Sequence, residues 1–502
     1  MNKFSIDQRN LSVLYDTAGA RALDREATAL LNGDAYVLMQ RAGLVGWQTL
    51  SGRYPAAGCI TVVCGTGNNG GDGYVLARRA LEARRRVRVV HLPDNGPRTE
   101  LAQRACTEYL AAGGSVELFP TAFDDDDVIV DALFGIGLTR APDAALSELI
   151  MAINASACPV FSLDVPSGID ADRGIAPGAA VRADCTLQFI GRHKGLYTGE
   201  ALDHSRIVLL NSLEVPENVF SRVRPAALLL EPEYLKAGLG IRRRNSHKGD
   251  SGRVLCVGGD HGSGGAIALC AEAALRTGAG LVGVATQGAH VAAILARCPE
   301  IMVFGVEQDG DIDAKLKQAD VLAVGPGLGQ SLWARHLYRQ ALASARPLVL
   351  DADGLNLLAV APHALTDTIL TPHPGEAARL LHSDIGTVQQ DRFAAADALV
   401  ERYRTVVVLK GAGSIVTAPG QLPCVIAAGN PGMAIGGMGD LLTGIIASLR
   451  AQGIPAFASA CMGALLHATA GDEAVVEGGE RGLLPSDLLP WLRRLVNQGS
   501  DR

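Results

Sequence analysis

Apolar runs of strand length recur along the chain, and several are followed by a glycine-rich loop and then by a helical pattern. In the first half, Cys59–Cys64 is predicted to be a buried strand, Gly65–Gly73 a loop, and Tyr74–Arg86 a helix. The same order begins again with the apolar run Gly252–Gly258 and the helical pattern Ile267–Thr277. Strands that alternate with helices indicate parallel sheets covered by helices on both faces. The pattern therefore predicts an α/β protein.

The length of 502 residues predicts more than one domain, because a single hydrophobic core rarely grows this large. The stretch between Pro216 and Pro225 lacks clear periodicity, and a boundary there gives domains at residues 1–215 and 226–502. Glycine is abundant (59 residues) and aromatic residues are few (4%), a composition that suits helices packed closely on sheets. The net charge of −7 gives no reason to expect nucleic acid as a partner.

Cysteine usage and the first residues bear on the compartment. None of the ten cysteines forms a Cys-x-x-Cys pair, and several lie in apolar runs, which favours reduced thiols in a cytoplasmic protein over a disulfide framework. Residues 1–10 contain no apolar core, so we expect no signal peptide. The segment Ile454–Gly471 is rich in Ala and Gly and contains His467, so we interpret it as a buried helix and expect no membrane partner.

The segment Gly436–Asp440, Gly-Gly-Met-Gly-Asp, runs directly into an apolar helical pattern that extends to Arg450. Free backbone N–H groups and the positive end of a helix dipole at such a start bind anions, phosphoryl groups among them. Asp440 would lie in the first turn, within reach of a proton on a substrate hydroxyl. The pattern indicates attack by a hydroxyl on a nucleotide phosphate; the alternative is a glycine turn with an aspartate helix cap.

The first half carries Gly65–Gly70, a Gly-x-Gly-x-x-Gly motif between a strand and a helix, which matches the dinucleotide fingerprint. Asp94, near the end of the next strand, lies roughly where such folds bind a ribose hydroxyl. Asp72 counts against this interpretation, because a carboxylate at the helix start would repel a pyrophosphate. Asn68, Asn69 and Asp72 are therefore interpreted as a polar cluster for a hydroxylated ligand or a cation.

Two further polar loops follow strands, one beginning at Asp131 and the other at Asp164. Open parallel sheets bind ligands at the carboxyl ends of their strands, so Asp131, Asp164 and Ser167 are expected to converge with Asn69. Oxygen ligands of this kind suit a hard cation, and Asp164 is a candidate proton carrier. The alternative is a set of structural carboxylates in turns.

These loops resemble a known family. Asn68–Gly73 (Asn-Asn-Gly-Gly-Asp-Gly), Asp131–Gly137 and Asp164–Gly168 occur in this order and spacing in the NAD(P)H-hydrate epimerases, which have a Rossmann-like fold. Thr66 stands where that family usually has proline, a change in the turn that should not remove a ligand. The resemblance implies that a potassium ion is held by Asn69, Asp131 and Ser167. It also implies that hydrated NAD(P)H contacts Asn68, Asn69, Gly70, Gly71, Asp72, Gly135, Ile136, Gly137, Leu138, Thr139, Arg140, Ala141 and Asp164.

Two loops of the second half also carry candidate chemistry. Thr371–Glu376 (Thr-Pro-His-Pro-Gly-Glu) follows an apolar strand and holds His373 between two prolines, a better position for ligand contact than most histidines have. Lys410–Ser414 (Lys-Gly-Ala-Gly-Ser) follows the predicted strand Thr405–Leu409. Its lysine and glycine amides suit nucleotide phosphate, although no Walker motif precedes it.

Together with the glycine loop at residues 436–440, these two loops resemble the ribokinase-like superfamily. The finer resemblance is to the ADP-dependent NAD(P)H-hydrate dehydratases, which also share the segments Ser246–Gly249, Gly258–Asp260, Gly325–Gly329 and Asp351–Asp353. In that superfamily a glycine anion hole and an aspartate base transfer the terminal phosphoryl group of a nucleotide.

The second resemblance has small departures, since Met438 replaces the usual threonine and Gly354 replaces alanine. Neither residue carries the proton transfer, but Met438 is expected to influence nucleotide affinity. The resemblance implies that the hydrated nicotinamide substrate contacts Ala266, Gly327, His373 and Asp440. It implies that ADP, with magnesium, contacts Lys410, Gly411, Ala412, Gly413, Ser414 and Gly439.

The two resemblances cover nearly the whole chain and imply two three-layer αβα domains, the first Rossmann-like and the second ribokinase-like. They imply a bifunctional enzyme that epimerises R and S NAD(P)H hydrate and dehydrates the S epimer with ADP, with Asp440 as base and Asp164 as the epimerase proton carrier. A homo-oligomer of four or more copies is expected on the same ground. The alternatives are a vitamin or small-molecule kinase with a non-catalytic N-terminal binding module, and an NAD-dependent oxidoreductase, which Asp72 disfavours.

Overall fold

The computed structural model of the chain describes residues 12–123, 126–138, 140–240, 242–307 and 311–497. The chain divides into two compact units, Val13–Ala227 and a second made mainly of Leu228–Arg502. The stretch at residues 216–225, proposed above as the domain boundary, lies just before this division.

The first unit alternates strands and helices, as the apolar pattern predicts. Along the chain its elements are β1 (Ser12–Tyr15), α1 (Thr17–Leu30), α2 (Ala35–Arg53), β2 (Cys59–Cys64), α3 (Asn68–Glu82), β3 (Arg86–His91), α4 (Glu100–Ala111), β4 (Val116–Leu118), β5 (Val128–Ala132), α5 (Ala144–Ala155), β6 (Val160–Leu163), β7 (Cys185–Phe189), β8 (Arg192–His193), β9 (Val208–Asn211) and α6 (Glu217–Phe220).

Seven of these strands form a parallel sheet in the order β4-β3-β2-β5-β6-β7-β9. Successive residues of a strand point to opposite faces, and both faces of this sheet are buried. In β2, Val62 packs with side chains of α2, α3 and α4, whereas the next residue, Val63, packs with α5. The sheet is thus covered by helices on both faces, which confirms the predicted α/β layering of this unit.

The helix after β2 begins earlier than the sequence predicts. The segment Gly65–Gly73 was expected to be a loop, but α3 already starts at Asn68. Its glycines are buried and allow close packing: a Cβ on Gly70 would lie 2.1 Å from the Gly65 carbonyl oxygen, and one on Gly73 would lie 2.7 Å from the Ala132 Cβ. The glycines therefore allow a tight strand-to-helix crossing, and the prediction of a loop that extends to Gly73 was wrong.

The second unit repeats the same alternation over a longer chain. Its elements are β10 (Ala227–Leu229), α7 (Glu233–Gly238), β11 (Arg253–Val257), α8 (Gly264–Arg276), β12 (Leu281–Thr286), α9 (Val291–Arg297), β13 (Met302–Gly305), α10 (Asp313–Gln318), β14 (Val321–Val324), α11 (Leu332–Ala343), β15 (Leu348–Leu350), α12 (Ala352–Val360), β16 (Thr368–Leu370), α13 (Pro374–Leu381), α14 (Ile385–Gln390), α15 (Arg392–Tyr403), β17 (Val406–Leu409), β18 (Ser414–Thr417), β19 (Cys424–Ile426), α16 (Met438–Ala451), α17 (Ala456–Gly478) and α18 (Pro485–Leu495).

The sheet of this unit runs in the order β13-β12-β11-β14-β15-β16-β17-β18-β19-β10. It is parallel from β13 to β17, and β18 is antiparallel to both of its neighbours. The strand order reverses between β11 and β14, the kind of position at which open α/β sheets bind ligands. Helix α16 packs tightly on α8, since a Cβ on Gly444 would lie 2.0 Å from the Cys270 carbonyl oxygen.

Helix α17 corresponds to the apolar segment interpreted above as a buried helix, and most of its residues are buried. Within the described ranges, no helix combines the length and the apolar character needed to cross a membrane. All ten cysteines are free thiols, as expected.

Candidate active sites

A cavity of about 650 Å³ lies at the carboxyl ends of the first unit's strands, where the strand order reverses between β2 and β5. The loops after β2, β5, β6 and β7 line it, together with helices α1 and α2. Seven of the predicted substrate contacts line this cavity, namely Asn68, Asn69, Asp72, Gly135, Ile136, Gly137 and Asp164.

The other predicted contacts of the first unit have different positions. Gly70 and Gly71 pack inside the first turn of α3. The loop beyond Gly137 carries Leu138, Arg140 and Ala141, which are not among the described residues that line the cavity, and Thr139, which falls outside the described residues. The roles of these residues stay predictions.

A carboxylate–imidazole pair forms part of the cavity wall. Asp164, directly after β6, has a left-handed backbone with φ of 64°, a conformation that costs energy for a non-glycine residue and is concentrated at functional sites. Its Oδ1 lies 2.7 Å from Nε2 of His193, at the end of β8. Burial lowers the pKa of the His193 imidazole, but the charge and hydrogen bond of Asp164 more than offset this and leave the pKa above its ordinary value.

Two further carboxyl groups line the same cavity. Asp24 lies on α1, and burial together with the charge of Asp164 raises its pKa to about 6. Asp72 lies on α3, and burial followed by the charges of Asp164 and Asp24 raises its pKa well above the ordinary value. Carboxyl groups with raised pKa in a cavity are candidates for proton transfer.

The residues expected to hold potassium have the chemistry of an oxygen-ligand cation site. Asp131 is fully buried and accepts hydrogen bonds from the Ser162 hydroxyl (2.7 Å), the Ser167 hydroxyl (2.5 Å) and the Ser167 amide (2.8 Å). The Asn69 side-chain oxygen is buried, and among the described residues it has no hydrogen-bond partner. A buried carboxylate and an unpartnered amide oxygen fit a hard cation. No group of three or more His, Cys, Asp or Glu side chains able to hold a metal occurs in the part of the chain that the structure describes.

The second site is assembled at the carboxyl ends of the second unit's strands. Asp351 follows β15 and is 1% exposed, and its Oδ1 accepts a 2.7 Å hydrogen bond from the Lys410 ammonium after β17. Its Oδ2 accepts a 2.8 Å hydrogen bond from the Thr443 hydroxyl on α16. Lys410 also lies 3.7 Å from a carboxylate oxygen of Glu376. This network connects the ends of β15 and β17 to the N-terminal part of α16.

Asp440 lies in the first turn of α16, and Gly437, with φ of 98°, is the residue that precedes this helix. Burial raises the pKa of the Asp440 carboxyl to about 6; the charge of Asp351 adds to the rise and that of Lys410 opposes it. A carboxyl group with a pKa near neutrality is suited to general base catalysis. Gly439 is next to the lysine, because a Cβ on it would lie 3.1 Å from the Lys410 Nζ.

The other predicted substrate residues of this unit come from separate segments of the chain. His373 precedes α13, and its Nδ1 accepts a 3.0 Å hydrogen bond from the Gly375 amide. Burial and the charge of Lys410 lower the pKa of His373, which favours the neutral imidazole. Gly327 and Ala266 are neighbours, since a Cβ on Gly327 would lie 3.2 Å from the Ala266 Cβ.

The predicted nucleotide loop, Lys410–Ser414, rests on a buried arginine. Arg392, at the start of α15, is 1% exposed, and its guanidinium donates to the carbonyl oxygens of Leu409, Lys410 and Gly413. Burial lowers its pKa to about 10. Gly411 has a φ of 134°, and a Cβ there would lie 2.9 Å from the arginine Nη1. The loop therefore passes so closely over Arg392 that only glycine fits.

Comparison with known proteins gives two matching family profiles and full-length relatives. Residues 35–195 match the YjeF-related protein N-terminus, and residues 254–494 match NAD(P)H-hydrate dehydratase. A bifunctional NAD(P)H-hydrate repair enzyme of Coxiella burnetii is 45% identical, over 97% of this chain and 100% of the relative. That of Escherichia coli is 42% identical, over 94% of this chain and 92% of the relative. The chain belongs to the bifunctional NAD(P)H-hydrate repair enzymes.

The solved structure of a ribokinase-like superfamily protein from Enterococcus faecalis is 31% identical and matches with a TM-score of 0.51, covering 55% of this chain and 96% of that chain. The sequence-based assignment to the repair-enzyme family and to an α/β fold is therefore confirmed.

Sequence reasoning missed four residues that the two sites of this repair enzyme contain. They are Asp24 and His193 in the first unit, and Thr443 and Arg392 in the second. Asp24 lies outside the matched profile at residues 35–195. The one signal in the sequence was the basic run around His193, which follows a strand but has no recognisable spacing to Asp164.

Proposed function

We propose that the chain repairs hydrated NAD(P)H in two steps, one in each unit. The first unit interconverts the R and S epimers in the 650 Å³ cavity. The second unit dehydrates the S epimer with ADP and yields NAD(P)H, AMP and phosphate. Membership in the repair-enzyme family supports both activities, and the residue roles are those that the resemblance implies, supported by the geometry of the two sites.

The observation that carries this proposal is Asp440, a buried carboxyl group with a pKa of about 6, in the first turn of a glycine-loop helix and electrostatically coupled to Lys410. The hydroxyl on C6 of the hydrate is a poor leaving group. Asp440 takes the hydroxyl proton while the oxygen attacks the terminal phosphorus of ADP and the bond to AMP breaks. The amides at the start of α16 and the Lys410 ammonium offset the charge of the transferring phosphoryl group. ADP enters as its magnesium complex.

After this transfer, C6 carries phosphate, which is a good leaving group. The ring nitrogen pushes the phosphate off C6, and loss of a proton from C5 restores the double bond of NAD(P)H. In this scheme Gly327, Ala266 and His373 contact the nicotinamide part, and Lys410–Ser414 with Gly439 contact ADP.

In the first unit, Asp164 is the proton carrier of the epimerisation. Potassium would be held by the Asn69 side-chain oxygen, Asp131 and Ser167, and it would supply a fixed positive charge beside the cavity. The unpartnered Asn69 oxygen and the buried Asp131 carboxylate support this ligand set.

The decisive experiment follows absorbance at 340 nm after addition of the full-length protein to a mixture of R and S NADH hydrate. We expect complete recovery of NADH with ADP, none without ADP, and a loss of at least about a hundredfold in rate for Asp440→Asn. A plateau near half recovery would support the dehydratase activity and contradict the epimerase activity. Accumulation of a phosphorylated product without NADH would favour a small-molecule kinase instead.

We also propose that the protein forms a homo-oligomer of four or more copies. Light scattering on the purified chain is then expected to give a mass of at least four times 52.2 kDa. A mass of one chain would contradict this.

A further inference from the structure

The hydrogen bond between Asp164 and His193 joins residues that come from different strands and meet at the cavity wall. The side chain of His193 is 3% exposed, and its Nε2 lies 2.7 Å from Asp164 Oδ1. The backbone amide of His193 donates to the Gln188 side-chain oxygen at 2.6 Å, which fixes the histidine at the end of β8. Among the described residues its Nδ1 has no hydrogen-bond partner, although the atom is buried. A buried histidine with a purely structural role usually has a hydrogen-bond partner at each ring nitrogen.

The second oxygen of Asp164 lies close to Gly135, in the loop that follows β5. A Cβ on Gly135 would lie 2.7 Å from Asp164 Oδ2, so glycine is required for the loop to approach this oxygen. Both residues line the cavity. Asp164 is therefore anchored through Oδ1 by His193, while Oδ2 lies beside Gly135 at the cavity wall. A carboxylate held in this way presents one oxygen to a ligand in a fixed direction.

The charges around His193 are mostly negative. Asp164, Asp24 on α1 and Asp172 all raise the pKa of the imidazole through their negative charges. Arg25 opposes the negative charge at Asp24. These charges favour the imidazolium form of His193 against its burial. A positive charge at this position is therefore favourable beside Asp164.

We propose that His193 is a positioning residue for epimerisation, which acts through Asp164 by holding its carboxylate in place so that Oδ2 can accept a proton. This inference rests on the proposed epimerase function of the first unit. It assigns the proton transfer to one oxygen atom and adds a residue that the family resemblance did not supply.

The chemistry requires a group that takes a proton and returns it. C6 of the hydrate carries both a hydroxyl and the ring nitrogen N1. Asp164 Oδ2 accepts the hydroxyl proton, the O–H electrons form a C6=O bond, and the C6–N1 bond breaks with its electron pair on N1. Asp164 then delivers the same proton to N1. Rotation about C5–C6 and the reverse steps close the ring on the opposite face of C6. No proton, electron or co-reactant is consumed over the cycle.

The test uses the full-length protein without ADP, so that the dehydratase cannot consume the substrate. Pure S NADH hydrate is the starting material, and chromatography follows its approach to the R/S equilibrium against an enzyme-free control. His193→Gln keeps an N–H donor but removes the positive charge, and His193→Lys keeps the charge. His204→Gln is the matched control, since His204 lies in the same unit but does not line the cavity.

We expect His193→Gln to lower kcat by tenfold to about a hundredfold with KM changed by less than about threefold, because the loss falls on proton transfer rather than on binding. His193→Lys should restore kcat to within about fivefold of the wild type, because its ammonium can also hold the Asp164 carboxylate. His204→Gln should match the wild type.

The double variant decides whether His193 acts through Asp164. Asp164→Asn with His193→Gln should be no slower than Asp164→Asn alone, because the two losses are not independent. Additive losses would overturn the inference, as would wild-type kcat in His193→Gln or a Lys variant as slow as the Gln variant. Absence of epimerisation by the wild type is a different result, since it would overturn the proposed function of the first unit itself. Thermal melts of each variant, compared with that of the wild type, show whether the first unit has folded.

Discussion

Lowering the pH below 6 is expected to switch off the dehydratase by protonating Asp440. Burial and the charges of Asp351 and Asp353 raise the pKa of this carboxyl to about 6, against the opposing charge of Lys410. A base with this pKa is about nine-tenths ionised at pH 7, half ionised at pH 6 and about one-tenth ionised at pH 5. The turnover number should therefore fall about tenfold for each further pH unit on the acid side.

The assay measures NADH formation at 340 nm from S NADH hydrate, with substrate and ADP saturating, between pH 5 and pH 8. Asp440→Asn should remove the ionising group and lower kcat by about a hundredfold to ten-thousandfold, with a flat acid limb. The terminal phosphate of ADP titrates in the same range, so a second variant is required. Asp353→Asn removes a negative charge that raises the pKa of Asp440, and it should move the acid limb to lower pH.

If the acid limb came from protonation of the terminal phosphate of free ADP, Asp353→Asn would not move it. An acid limb that stays in place in this variant would therefore refute the assignment of the limb to Asp440. Retention of more than about one-tenth of the wild-type kcat by Asp440→Asn would refute its role as base.

Three further predictions concern the supports of the two sites. Arg392→Leu leaves carbonyl oxygens of the loop Lys410–Gly413 without their donor; it should lower the free energy of unfolding by roughly 3 kcal/mol and raise KM for ADP more than KM for the hydrate, as read by thermal melts and initial rates. Gly135→Ala inserts a Cβ 2.7 Å from Asp164 Oδ2; it should slow epimerisation at least about tenfold and spare the dehydratase, and an unchanged epimerisation rate would contradict the close approach. Asn69→Leu removes the unpartnered buried oxygen. The melting temperature of the wild type should be higher in KCl than in choline chloride, and that of the variant should be the same in both salts. Equal responses of the two proteins would show that Asn69 is not a potassium ligand.

Local sequence patterns were sufficient for the placement of most candidate loops. A strand, a glycine motif and a helix in succession fix where a loop leaves a sheet, so Asp440 could be predicted to lie in the first turn of its helix, as it does. The same reasoning brought Asn69 and Asp164 to one edge of a parallel sheet, and both line the same cavity. These relations depend on neighbours in the chain and on the alternation of strands and helices, and both can be recognised in the sequence.

Contacts between distant segments could not be predicted in this way. His193 and Asp164 are 29 residues apart and meet because β6 and β8 end close together. Arg392 reaches under a loop about 20 residues further along the chain, and a lone arginine at the start of a helix looks like a surface residue in the sequence. The early start of α3 was missed for a related reason. Glycine was interpreted as a loop former, whereas the buried contact of Gly73 with Ala132 needs glycine within a helix.

The pairing of Lys410 with Asp351 has a consequence for turnover. The lysine is already neutralised by a 2.7 Å hydrogen-bonded carboxylate before any nucleotide arrives. A bare ammonium in a buried site would attract every phosphate strongly, including the AMP and phosphate left after the reaction. A compensated ammonium gains less from each additional negative charge, so we expect a moderate preference for ADP over AMP and ready dissociation of the spent nucleotide. If Lys410 binds the nucleotide as proposed, the carboxylate that organises the site before the reaction should also help product release afterwards.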